Sequence, residues 1–198
     1  PIGYNIPEFL TFIDKVYSDI NSIKIVFPIK GYSKNYGNLN IEVIWPQSKS
    51  VYQDFVDFSN NIRSEDKGVS QNHTFSGKEV NNSSIVMLFS YGKFDVLLTG
   101  DAEIEVEKQL SIGLGKNNSI EVLKAGHHCS KTASSEKLLS IIRAEIAICS
   151  YGKENKFGHP HSETLERFKE YGIEYYSTAE SGTITIKTDG KDWKIIEK

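Results

Sequence analysis

Sulfur is scarce in this chain, which has two cysteines and one methionine in 198 residues. Cys129 and Cys149 are too few for a disulfide framework. Read from the sequence they are reduced or inert, and they leave the compartment unassigned. No apolar run approaches the ~20 residues of a membrane-spanning helix, and no secretory signal opens the chain. A surplus of positive charge is missing too, with Lys+Arg 23 against Asp+Glu 26 and a formal net charge of −3. That excludes a protein that grips nucleic acid through a basic surface alone. If phosphates are handled here, a metal ion or a local patch must supply the positive field. The chain begins at Pro1 and its sole methionine is Met87, so it is expected to be a processed, excised or incomplete piece of something longer.

What is present suits one domain over residues 1–198. Hydrophobic residues at 38% and aromatics at 11% are enough for an ordinary core. There are no repeats and no low-complexity segment. Residues 7–21 read as an amphipathic helix, with Phe9, Leu10, Phe12, Ile13, Val16 and Tyr17 on one face. Residues 23–27 and 40–45 read as strands, the second stopped by Pro46. Residues 47–80 are polar and read as a long loop, with an irregular helix near 51–58.

From residue 83 the pattern sharpens. Residues 84–90 and 95–99 form a hairpin around Tyr91-Gly92-Lys93. Helices are expected over 102–110, 135–143 and 162–171, alternating with strands over 120–124 and 145–150. Strands over 174–177, 182–187 and 193–196 close the chain. Hairpins mixed with strand–helix alternation indicate α/β layers with mixed sheets.

Three loops that follow strands carry the chemistry. In Leu97-Leu98-Thr99-Gly100-Asp101-Ala102-Glu103, Asp101 reads either as the cap of the following helix or as a carboxylate metal ligand. In Lys124-Ala125-Gly126-His127-His128-Cys129-Ser130, two adjacent imidazoles point different ways, so at most one faces a given metal. Cys129 reads as a small residue in a glycine-like slot. In Gly158-His159-Pro160-His161, Pro160 fixes the separation of two imidazoles, which read as a surface turn or as phosphate contacts and proton donors. Four of the five histidines, His73 being the exception, lie in two short loops. Packing does not explain that clustering, and a metal or phosphate site does.

These blocks, with Asn81-Asn82-Ser83-Ser84-Ile85-Val86, Lys131-Thr132, the run Ser150-Tyr151-Gly152-Lys153-Glu154-Asn155-Lys156-Phe157 and the closing Thr178 and Gly182-Thr183-Ile184-Thr185-Ile186, resemble the ComEC-type branch of the metallo-β-lactamase superfamily. The match covers residues 81–190 in order and spacing; residues 1–80 match loosely. The resemblance implies a four-layer αββα sandwich, here incomplete on its N-terminal side, and two divalent metal ions, zinc or manganese. It implies that Asp101 bridges the metals and that His128 is the ligand of its pair, with His127 near the substrate. His159 and His161 are expected to approach the scissile phosphate, and Lys124, Ser130 and Lys131 to touch it. DNA, or another phosphodiester, is the implied substrate. The membrane channel portion of the same polypeptide is the implied partner, which puts the domain on the outer face of the bacterial cytoplasmic membrane.

Two departures stand out. Cys129 occupies the glycine of the usual H-H-G-S, where a Cβ strains the turn if φ is positive. The H-x-H-x-D-H block that supplies most ligands is absent from the chain. Either it is encoded shortly before Pro1, and this chain alone holds one metal or none, or the homologue is degenerate. The readings left open are therefore a phosphodiesterase or nuclease, a hydrolase of another ester on the same fold, and a non-catalytic interaction domain.

Overall fold

The computed structural model describes residue 26 and residues 28–48, 76–110 and 119–197. The helices expected at 7–21 and 51–58, His73, and all but one residue of the strand expected at 23–27 lie outside the described residues.

The described chain is α/β with a mixed sheet. It begins with β1 (Ser33–Tyr36) and β2 (Leu39–Trp45), followed by the short α1 (Gly77–Asn82). The hairpin expected around Gly92 is present as β3 (Val86–Tyr91) and β4 (Phe94–Leu98). Strand–helix alternation then gives α2 (Ile104–Leu110), β5 (Val122–Lys124), α3 (Glu136–Ile142), β6 (Ile146–Cys149), α4 (Ser162–Glu170) and β7 (Glu174–Ser177). A four-residue α5 (Thr178–Ser181) leads into the hairpin of β8 (Ile184–Thr188) and β9 (Trp193–Glu197).

Among the described residues, seven strands form one sheet in chain order, β1 to β7. β1 to β4 run antiparallel, while β4 to β7 run parallel. A period-2 alternation sorts each central strand onto two faces. Leu97, Leu123, Ala147 and Cys149 point toward Val106 and Leu110 of α2, Leu138, Leu139 and Ile142 of α3, and Phe168 of α4. Phe94, Val122 and Ile146 point the other way, onto Ile186, Trp193 and Ile195 of the two-stranded β8–β9 sheet. Leu97 and Leu123 are fully buried, so truncating either to Ala costs about 2–5 kcal/mol. Beside β8, an apolar groove remains open on the sheet face, lined by Leu39, Phe89, Val96 and Leu98.

Parallel pairing sets where chemistry collects. β4, β5 and β6 point the same way, so the loops after them emerge along one edge. In open α/β sheets that carboxyl edge is where ligands bind.

Candidate functional site

Each of the three loops is held by its own set of contacts. The first leaves β4 through Gly100, at φ +57, where an added Cβ would sit 2.9 Å from the Ser84 Cβ. The Asp101 N–H donates to Ser84 Oγ at 3.0 Å. α2 starts only at Ile104, so Asp101 is too far ahead of it to be its cap, and the capping alternative falls.

The second loop is a left-handed turn. His127, His128 and Cys129 have φ of 45, 56 and 62, a conformation that costs a residue with a Cβ roughly 1–2 kcal/mol. Such strain persists only where surrounding contacts over-determine it, and they are present here. The His127 N–H donates to the Gly100 carbonyl, the Ser130 N–H to the His127 carbonyl, and the His161 N–H to the Cys129 carbonyl. Gly126 lets the turn approach closely, since a Cβ there would meet the Ala102 carbonyl oxygen at 2.9 Å.

The strongest tether is covalent and corrects the sequence reading of the cysteines. Cys129 and Cys149 form a disulfide, both fully buried, with Cα atoms 5.5 Å apart. Cys129 thus sits at a glycine-type φ and pins the turn to the end of β6. Two cysteines 20 residues apart carry no spacing rule that would have found the bond.

The third loop is organised by Asn155. Its amide donates to the His159 carbonyl at 2.7 Å and to the Gly152 carbonyl at 3.0 Å. Its Oδ1 accepts from the backbone N–H groups of His159 at 2.8 Å and Phe157 at 3.2 Å. At the base of this loop, Thr178 Oγ1 brackets the Tyr151 backbone, accepting from its N–H and donating to its carbonyl.

The loops bring Asp101, His127, His128, His159 and His161 together. His128 Nε2 lies 3.4 Å from Asp101 Oδ1, while His128 Nδ1 lies 2.6 Å from the Ser150 carbonyl oxygen. A carbonyl oxygen only accepts, so Nδ1 is the donor in that contact, and Nε2 is the nitrogen turned toward the carboxylate and placed for a metal. Imidazole ligands are ordinarily fixed in this way. Donors about 2.0–2.2 Å from one tetrahedral ion lie roughly 3.4 Å apart, so this pair fits two corners of a metal site. Among the described residues no group of three or more such donors is assembled.

His127 is set differently. Its Nδ1 lies 3.4 Å from Glu103 Oε1 and 3.3 Å from Thr132 Oγ1. Glu103 is itself held, accepting from the Asn81 amide at 2.9 Å and donating its N–H to Asn82 Oδ1 at 3.0 Å. Glu103, Asn81 and Asn82 all lie in the blocks singled out by sequence, but their joint work on His127 needed the fold to be seen.

The His159 ring centroid is 5.7 Å from that of His127, 6.0 Å from that of His128 and 5.1 Å from that of His161. Burial, then the neighbouring His161, His127 and His128, hold the His159 imidazole below its ordinary pKa, against the opposing pull of Asp101. The Nδ1 atoms of His159 and His161 are buried with no hydrogen-bond partner among the described residues, so neither nitrogen is committed to a contact within the protein. His161 is also the N-cap residue of α4, without a side-chain capping bond.

The three expected phosphate contacts are disposed unequally. Lys131 is exposed. Ser130 is buried, and its Oγ lies 3.1 Å from Thr132 Oγ1. Lys124 Nζ donates to the Ala125 carbonyl at 2.6 Å; burial lowers its pKa, partly offset by Asp101.

A group that sequence reading missed underlies the site. Glu107 of α2 is fully buried and accepts from the N–H groups of Ser134 and Ser135. Arg167 of α4 donates to the carbonyls of Lys131, Ala133 and Ser134. Between them, these two side chains fasten the segment that follows the histidine turn.

No family model matches the chain. It is 42% identical over 114 residues to Recombination protein 2 of Haemophilus influenzae, covering 58% of this chain and 14% of that protein. It is 36% identical over 107 residues to ComE operon protein 3 of Bacillus subtilis, covering 54% and 14%. It is also 34% identical over 104 residues to Competence protein ComA of Neisseria gonorrhoeae, covering 52% and 15%. The match thus spans about a seventh of each relative's length.

Proposed function

We propose that this chain is part of a metal-dependent phosphodiester hydrolase, a nuclease domain serving DNA uptake, built on the metallo-β-lactamase sandwich. The observation that carries the reading is the pair Asp101–His128, 3.4 Å apart, with His128 fixed by the Ser150 carbonyl. Two of the relatives are named for competence or its operon, which supports the link to DNA uptake. The open apolar groove on the β2–β4 face supports a second sheet larger than β8–β9. The buried disulfide supports an oxidising compartment, in keeping with the outer face of the cytoplasmic membrane and with a membrane channel in the same polypeptide as partner.

Asp101 and His128 would hold a divalent cation, zinc or manganese, with Asp101 shared by a second and the remaining donors coming from outside the described residues. Bound there, such cations supply a water of lowered pKa and neutralise phosphate charge. The chain's own residues do the rest. His127, oriented by Glu103, faces the substrate. His159 and His161 carry a proton to the leaving sugar oxygen or stabilise the charge that develops on it. Lys131 reaches outward to phosphate, while Lys124 and Ser130 shape the turn beside it.

The test is hydrolysis by the full-length protein, with manganese or zinc, of bis(p-nitrophenyl) phosphate, a DNA oligonucleotide and p-nitrophenyl acetate. Metal-dependent turnover of both diesters is expected. Turnover of the acetate alone moves the reading to another esterase. No turnover and no bound metal makes the domain an interaction module.

A further inference from the structure

Phe157 is 75% exposed, more than any other large apolar side chain among the described residues. A single exposed apolar residue is ordinary, but this one is placed and presented. Its ring stacks on His159, with centroids 5.8 Å apart and planes 26° from parallel, so it extends the wall of the histidine cluster outward. It is also held in position, because Asn155 accepts from the Phe157 N–H and bonds both backbone groups of His159. Lys153 and Lys156 are exposed on the same loop, with Glu154 the one acidic residue between them. An exposed ring preceded by two exposed lysines in the same loop is a local concentration of positive charge on a chain of net charge −3. We infer that Phe157 is a stacking platform for an unpaired base of a single-stranded nucleic acid, with Lys153 and Lys156 against the flanking phosphates. Every base has a π-face, so such a platform reads strandedness rather than sequence. Holding the ring ahead of time removes an ordering cost from binding. A base inside a duplex is already stacked on both sides and cannot use the platform.

The inference rests on the proposed function in one respect, that a polynucleotide enters the histidine cluster. The experiment therefore reads binding apart from hydrolysis. A fluorescent 12-nucleotide oligodeoxynucleotide and a set of copies, each abasic at one position, are titrated by anisotropy against the full-length protein in EDTA. Wild type, Phe157→Tyr and Phe157→Leu are compared. One abasic position is expected to weaken wild-type binding by about 5- to 150-fold. In Phe157→Leu the intact and abasic strands should bind alike, and Phe157→Tyr should keep the wild-type difference. Duplex of the same sequence should bind wild type and Phe157→Leu equally. An abasic effect that persists in Phe157→Leu overturns the inference. So does an equal loss on duplex, which would show that the ring only shapes the loop. Coupling in EDTA without metal-dependent cleavage would leave the platform standing and sink the hydrolase reading. Cleavage without coupling would do the reverse.

Discussion

Replacing the Cys129–Cys149 bond tests how the histidine turn is held. The bond joins residues 20 apart in sequence, and closing a loop of that length in the unfolded chain is worth about 3 kcal/mol. Cys129 also occupies φ +62, and glycine there relieves about 1 kcal/mol of left-handed strain. The pair Cys129→Gly with Cys149→Val, which keeps the buried volume on β6, should therefore lose about 2 kcal/mol net. At roughly 2–4 °C per kcal/mol for a domain of this size, the melting midpoint falls by about 4–8 °C. Wild type reduced with dithiothreitol loses the bond but keeps the strain, so it should fall further, by about 6–12 °C. The assay is thermal unfolding followed by circular dichroism, with and without reductant. Thiol titration of the unfolded, unreduced protein accompanies it and should find no free cysteine. Equal midpoints with and without dithiothreitol, or two titrating thiols, would refute the reasoning. A double variant no more stable than reduced wild type would contradict the strain assigned to the left-handed turn at Cys129.

Glu107→Ala leaves the N–H groups of Ser134 and Ser135 buried without an acceptor. At about 1–3 kcal/mol each, urea unfolding should show a loss of roughly 2–5 kcal/mol. Burial raises the Glu107 pKa in the fold, so the folded state holds that proton more tightly than the unfolded one. Its contribution to stability is then fully present below the unfolded pKa of about 4.3 and declines as pH rises through the folded value. Glu107→Gln should flatten that part of the pH–stability curve; an unchanged curve would contradict the direction given. His159→Ala and His161→Ala should each lower phosphodiester turnover by roughly 10²–10⁴-fold with metal content unchanged by atomic emission. Loss of a metal equivalent in His161→Ala would make that residue a ligand, and full activity in both variants would reduce the loop to a surface turn.

The hairpin of β3 and β4 and the alternation from α2 to β7 were legible because apolar period and turn residues agree along them. β1 was not, since Ser33-Lys34-Asn35-Tyr36 is exposed throughout and carries no inward face to read. α1 was hidden in a polar stretch of low helix propensity, yet Ser76 and Glu79 form a capping box, a signature visible in the sequence. α5 has a similar start, the Ser177 side chain accepting from the Glu180 N–H. The three loops of the site were legible as motifs, and the parallel strands explain why they meet. Glu107 was not legible, because a glutamate in a helix of sequence Ile-Glu-Val-Glu-Lys-Gln-Leu reads as solvated surface. Its burial depends on α3 lying alongside, which no local pattern encodes.

The most direct measurement is metal stoichiometry of the full-length protein by atomic emission, in wild type and in Asp101→Ala and His128→Ala. Each variant should fold, as judged by circular dichroism, should bind less zinc or manganese than wild type, and should lose phosphodiester turnover. If Asp101 is shared by two ions as proposed, Asp101→Ala should lose more metal than His128→Ala. Unchanged metal content in both variants would contradict the assignment and leave the 3.4 Å pair as an ordinary polar contact.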